Sequence, residues 1–143
     1  FVRKFLEHFE NIPVETERST HQKAINEKAL ETALSYLKRG ELISIFPEGT
    51  RSPDGNLRKG KTGIARLALK ANVPVIPIGI IGANKILPKG AIFPRFRRCT
   101  IKIGKPLYFT EYYNKKVNKK ILEDVTRKIM QEIGKLIGQK YPY

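Results

Sequence analysis

Glu48, Gly49, Thr50 and Arg51 set a carboxylate, a hinge, a hydroxyl and a guanidinium side by side, directly after the apolar run Ile43-Ser44-Ile45-Phe46 and Pro47. A guanidinium presents a rigid fork of donors that matches a phosphate bidentately, and Glu48, three residues back, can orient it or reach a second group. Gly49 lets the backbone turn with no Cβ in the way. Leu42 to Phe46 read as a buried strand that Pro47 stops. At the carboxyl end of a strand in an open α/β sheet, the chain turns over the crevice where ligands bind. The same four residues also suit a charged surface turn with a single ion pair.

The full phrase Phe46-Pro47-Glu48-Gly49-Thr50-Arg51 resembles the signature of the 1-acylglycerol-3-phosphate (lysophosphatidic acid) acyltransferase family, the bacterial glycerolipid acyltransferases. Gly60-Lys61-Thr62-Gly63-Ile64-Ala65-Arg66-Leu67-Ala68 is similar to the segment that follows that signature in bacterial members. Val73-Pro74-Val75-Ile76-Pro77-Ile78 looks like the fourth family block, Gly104-Lys105-Pro106-Leu107 fits near the end, and the likeness runs from about Ile12 to Tyr143. The resemblance implies an α/β domain with a largely parallel sheet flanked by helices. It implies transfer of an acyl chain from acyl-CoA or acyl carrier protein to lysophosphatidic acid, giving phosphatidic acid, with no cofactor or metal besides that co-substrate.

Carried over by resemblance, Arg51 clamps the glycerol phosphate with help from Arg18 and Lys61. Glu48 orders the arginine and the crevice, and Gly49 and Thr50 shape the turn and offer donors. Arg18 follows Ile12-Pro13-Val14-Glu15-Thr16-Glu17, an acid-to-arginine step two residues longer than the family's. The family's catalytic element, a histidine with an aspartate beyond four intervening residues, has no counterpart: His8 finds Pro13 at that position and His21 finds Asn26. In the family the histidine deprotonates the acceptor hydroxyl and the aspartate orients the imidazole. The resemblance therefore makes this the carboxyl-terminal, acceptor-binding part of the enzyme, with the catalytic pair upstream of Phe1. It also implies peripheral association with the cytoplasmic face of an anionic membrane, and binding without turnover by this chain.

Two other readings compete. Gly55-Asn56-Leu57-Arg58-Lys59-Gly60-Lys61-Thr62 satisfies the phosphate-loop pattern of two glycines five apart followed by Lys and Thr, so a nucleotide is an alternative ligand. Against it, the strand before the first glycine ends too early, and Val73 to Ile81 runs into Gly82-Ala83-Asn84 without the aspartate that would hold magnesium. Lys61 is equally read as an anion-binding lysine at a helix N-terminus or as one pointing at solvent. A basic nucleic-acid-binding module is the other alternative: 28 Lys and Arg against 13 Asp and Glu give a formal charge of +15, which attracts any polyanion. The absence of a base-stacking aromatic platform argues against nucleic acid.

The elements that must position these groups follow from periodicity. The 143 residues fit one domain, 1–143, able to bury a core. Phe1 to Phe9 read as the end of an amphipathic helix and Ile12-Pro13-Val14 as a short strand. A helix capped by Ser19 and Gln22 runs to about Arg39, with Ile25, Ala29, Leu30, Ala33, Leu34 and Leu37 inward and Gly40 as its stop. Thr62 to Ala71 is a helix, with Ile64, Leu67, Ala68 and Ala71 inward and Asn72 ending it. Val73 to Ile81 is a strand whose two prolines put it at an edge or bulge. Gly82 to Arg98 is irregular; Arg95-Phe96-Arg97-Arg98 together with Lys85, Lys89, Lys102 and Lys105 interleave cations with Ile86, Leu87, Ile92 and Phe93, a mixture that suits a membrane surface, the alternative being an ordinary solvated face. Cys99 to Ile103 is a strand, and Asn118 to about Ile137 a helix with Ile121, Val125, Ile129, Ile133 and Leu136 on its core face. Strand alternating with helix implies parallel pairing with right-handed crossovers. A single cysteine, Cys99, and two distant histidines give no disulfide and no zinc-ligand spacing. The longest apolar run, Val73 to Ala83, falls short of the roughly 20 residues of a spanning helix.

Overall fold

The computed structural model of the protein describes residues 12, 22–86, 88 and 92–143. The expected helix over Phe1 to Phe9, the Ser19 cap, Arg18, and all but Ile12 of the strand Ile12-Pro13-Val14 lie outside the described residues. Two compact units divide the chain, Phe1–Ser44 and Ile45–Tyr143.

In the first unit, helix α1 (Gln22–Lys38) buries Ala29 and Ala33 on the expected face. Ile25, expected inward, is exposed instead. Gly40 closes the helix as expected: its φ is +81° and its N–H donates to the Leu37 carbonyl at 3.1 Å. That left-handed exit is the reason the stop is a glycine.

The strand expected over Leu42–Phe46 is not formed. These residues carry no ladder, and Leu42 and Phe46 are 93% and 72% exposed. An apolar run states a preference for burial but names no partner, and a strand without a neighbour to take its N–H groups has no independent stability.

The second unit contains α2 (Gly63–Ala71), β1 (Ile78–Ile81), the single-turn α3 (Ala83–Ile86), β2 (Thr100–Ile103), a 3₁₀ turn (Thr110–Tyr112) and α4 (Lys119–Ile137). Its core joins Ala65 and Leu69 of α2 to Val125 and Ile129 of α4 through Phe109, which is fully buried. The periodicity located α4 well: Asn118 caps it, its side chain accepting from the Ile121 N–H at 2.9 Å, a bond worth about 1 kcal/mol. At the far end Gly138, φ +73°, supplies the left-handed cap. In α2 the buried set is Ala65, Leu67, Ala68 and Leu69, so Ile64 and Ala71, expected inward, lie at the margin.

The sheet of the described residues is two-stranded and antiparallel, not the large parallel sheet expected. A parallel return needs a crossover helix packed on the sheet. Between β1 and β2 the described residues offer only the one turn of α3, and β2 comes back antiparallel to β1. Val73–Ile81 is shortened to Ile78–Ile81 because Pro74 and Pro77 remove ladder donors. Only Val75, between the two prolines, makes a further bridge, to Leu107. Ile78 pairs with Ile103 and Val75 with Leu107, so three steps on one strand face four on the other. That mismatch is a bulge, as the prolines predicted, and it falls at Gly104-Lys105-Pro106.

One face of this ribbon lies on α4. A Cβ on Gly79 would meet Ile137 Cγ2 at 2.6 Å, so only glycine permits the approach. The pairs Ile78–Ile103 and Ile80–Ile101 occupy the opposite face and are exposed.

Candidate anion-binding site

The signature turn is held by its backbone. The Gly49 N–H donates to the Phe46 carbonyl at 3.0 Å, with Gly49 at φ +68°, where a side chain is strained. The Lys61 N–H donates to the Pro47 carbonyl at 2.8 Å and ties the turn to the residue just ahead of α2. The Lys61 side chain then folds over Gly49: a Cβ there would meet its Cε at 2.9 Å and its Nζ at 3.0 Å. Glu48, Gly49 and Lys61, separated in sequence, thus share one place.

Glu48 does not orient Arg51. Its Oε2 accepts the Arg58 N–H at 2.8 Å, and no ion pair joins it to the arginine. The carboxylate spans the loop because a free backbone N–H lies nearer its oxygen than a solvated guanidinium does. Arg51 and Thr50 are exposed, and Arg51 has no hydrogen-bond or ion-pair partner among the described residues. The site therefore presents two cations, Arg51 and Lys61, whose charge no described carboxylate neutralises.

Two residues that sequence reasoning missed hold the loop after the signature. The Gln139 amide uses both ends, Nε2 donating to the Gly55 carbonyl at 3.0 Å and Oε1 accepting the Leu57 N–H at 2.9 Å. The buried Tyr141 hydroxyl accepts the Gly60 N–H at 2.9 Å. Gly60 also presses on α4, where a Cβ would meet Met130 Cγ at 2.7 Å. These partners lie some eighty residues apart in the chain, and no local pattern announces them.

The same bonds rule out a phosphate loop. Such a loop works by aiming several backbone N–H groups at one anion. Here Gly55 N–H donates to Ser52 Oγ, Asn56 to Asp54, Leu57 to Gln139, Arg58 to Glu48, Gly60 to Tyr141 and Lys61 to Pro47. None of these is left to converge on a nucleotide.

Asp54 anchors the turn between signature and loop. Its carboxylate accepts from the Asn56 backbone N–H, the Ser52 hydroxyl and the Asn56 amide, which together lower its pKa from 3.8 to about 2. Because the folded value lies below the unfolded one, this stabilisation is present above about pH 4 and is lost as pH falls toward 2. Thermal melts across that interval should show Asp54→Asn losing less of its melting temperature than the wild type. Identical acid profiles would mean that the turn is not ionically held.

Among the described residues no helix is long and apolar enough to cross a membrane, and no group of His, Cys, Asp or Glu could hold a metal ion. A glycine turn carrying an arginine that has no partner among the described residues, with the lysine ahead of a helix folded over it, makes a candidate anion-binding site in an α/β fold. The comparisons with known proteins give that class a family. A family model described as Acyltransferase matches residues 1–81. The chain is similar to the chloroplastic 1-acyl-sn-glycerol-3-phosphate acyltransferase of Brassica napus, 44% identical over 62 residues, covering 43% of this chain and 18% of that protein. It is also similar to the corresponding enzyme of Cocos nucifera, 31% identical over 102 residues, covering 71% of this chain and 33% of the relative. The crystal structure of the 1-acyl-sn-glycerophosphate (LPA) acyltransferase PlsC from Thermotoga maritima superposes with a TM-score of 0.57 at 33% identity, over 75% of this chain and 46% of that one. The chain belongs to the acyltransferase family, of the 1-acylglycerol-3-phosphate type, and carries a partial α/β fold like that of PlsC. It spans less than half the length of that solved relative and a smaller share of these plant enzymes.

Proposed function

We propose that this chain is the acceptor-binding part of one acyltransferase domain that moves an acyl group from acyl-CoA or acyl carrier protein onto lysophosphatidic acid, giving phosphatidic acid. The observation that carries the reading is the signature turn itself, with Lys61 folded over Gly49 and Arg51, two residues on, exposed and without a partner among the described residues. Arg51 takes the glycerol phosphate bidentately and Lys61 adds a point charge. Glu48 keeps the crevice open by holding the Arg58 backbone, and Gly49 and Thr50 shape the turn and offer donors. No cofactor is needed, and the protein works peripherally at the cytoplasmic face of a membrane. No histidine among the 143 residues has the family's aspartate spacing, so this chain binds acceptor without turning it over.

The test is equilibrium binding of lysophosphatidic acid below its micelle threshold, beside MgATP. Lysophosphatidic acid should bind and MgATP should not, and Lys61→Ala should weaken the lipid about tenfold, the worth of one exposed charge-assisted bond. Binding of MgATP alone, lost in Lys61→Ala, would overturn the reading, and measurable acyl transfer by this chain would overturn its inactivity.

A further inference from the structure

From residue 55 to residue 110 every charged side chain is a lysine or an arginine; Asp54 and Glu111 are the acids on either side. Within that stretch the segment after β1 leaves Ile92 86% and Phe93 80% exposed, and Phe96 fully so. An exposed apolar residue is ordinary, but two phenylalanines and an isoleucine within five positions have no use for water. Around them Lys85, Arg95, Arg97 and Arg98 are all exposed and without ion-pair partners among the described residues.

The segment is anchored at both ends. The Arg95 N–H donates to the Ile86 carbonyl at 2.7 Å, and Gly82, φ +88°, lets the chain pass so close to Arg98 that a Cβ would meet its carbonyl oxygen at 2.8 Å. Two shallow, open depressions lie against it, and both are lined by Arg95, Arg97 and Arg98. One is completed by Ile86, Pro94 and Phe96, the other by Pro53, Asn84, Lys85 and Pro88. Arginines interleaved with exposed Ile92, Phe93 and Phe96 suit a partner whose anionic groups stand directly above hydrocarbon.

We propose that this segment is a docking surface for an anionic lipid bilayer, with Ile92, Phe93 and Phe96 entering the interface and Arg95, Arg97 and Arg98 taking lipid phosphates. Nucleic acid, the other polyanion, would satisfy the arginines and leave the three apolar side chains in water. The proposal deepens the acyltransferase reading, since an enzyme with a lipid acceptor must meet its substrate at a bilayer, but it rests on residues apart from the signature turn.

The protein has no tryptophan, so Phe96→Trp places a single indole at the tip. With vesicles of phosphatidylcholine containing about one-third phosphatidylglycerol, its emission should shift to the blue and be quenched by brominated acyl chains. Vesicles of phosphatidylcholine alone should give neither. Replacing Arg95, Arg97 and Arg98 together by glutamine should weaken binding to the anionic vesicles about a hundredfold, each charge near such a surface being worth roughly fivefold. Phe93→Ser with Phe96→Ser should weaken vesicle binding while leaving any affinity for duplex RNA unchanged, with circular dichroism confirming the fold of each variant.

Equal partition to neutral and anionic vesicles, an undiminished triple variant, or RNA binding with no spectral response to vesicles would each overturn the proposal. Vesicles free of lysophosphatidic acid keep the two readings apart. If Arg51→Ala and the wild type partition alike while neither binds lysophosphatidic acid, the acceptor reading falls and the docking surface stands.

Discussion

Arg51→Ala is expected to lower the affinity for lysophosphatidic acid by about a hundredfold, the loss of a bidentate charge-assisted pair of about 2–3 kcal/mol. Arg51→Lys should recover only part of this, because an ammonium keeps the charge but cannot present the planar fork. Neither variant should lose more than about 0.5 kcal/mol of stability, since the side chain is exposed and holds no described partner. Loss of affinity without loss of stability would show that the guanidinium serves a ligand and not the fold. If instead affinity followed the +15 net charge alone, Arg51 would matter no more than any other surface cation, and binding would fall steeply with salt for every variant alike. Isothermal titration of wild type and both variants, at two salt concentrations, decides between these outcomes.

The chemistry-bearing turn was legible because its parts are local: Pro47 stops a segment, Gly49 turns it, and Arg51 sits two residues beyond. Helices α2 and α4 were legible for a similar reason, their apolar residues recurring at helical spacing, with Asn72 ending the first and Asn118 opening the second. The two prolines of the fourth block foretold a bulge, and the register between Val75–Leu107 and Ile78–Ile103 contains one. Pairing was not legible. Leu42–Phe46 has the composition of a buried strand, yet burial depends on a neighbour the pattern does not name. The direction of β2 relative to β1 depends on what connects them, and the irregular composition of Gly82 to Arg98 gave no crossover helix from which to infer a parallel return. Phe109 escaped notice because it belongs to no periodic run, although it is the residue on which α2 and α4 meet. Glu48 was read through its sequence neighbour Arg51, whereas space gives it the backbone of Arg58. Residue type pointed to the turn, but long-range geometry assigned the partners within it.

Gly134→Ala offers the sharpest test of that geometry because its expected sign runs against helix propensity. In a helix interior alanine ordinarily outperforms glycine by about 1 kcal/mol. At this position in α4 a Cβ would lie 2.5 Å from the carbonyl oxygen of Gln139 and 3.3 Å from Leu57 Cδ1. The first of these is backbone and cannot rotate away. It belongs to the return past Gly138 in which the Gln139 N–H donates to the Gly134 carbonyl at 2.8 Å, so relieving the clash means moving the tail. The tail is what holds the loop, through the Gln139 amide on Gly55 and Leu57 and the Tyr141 hydroxyl on Gly60. Overpacking together with one or two strained hydrogen bonds should cost about 2–4 kcal/mol, read as a lowered denaturation midpoint. Gly63→Ala, at the start of α2 where a Cβ meets nothing within 4 Å, should be neutral or stabilising and serves as the control. Because Lys61 leans on the loop the tail fixes, any Gly134→Ala protein that remains folded should also bind lysophosphatidic acid more weakly than wild type. A Gly134→Ala variant more stable than wild type would show that the tail does not close over the loop, and the positioning of Lys61 would then need another source.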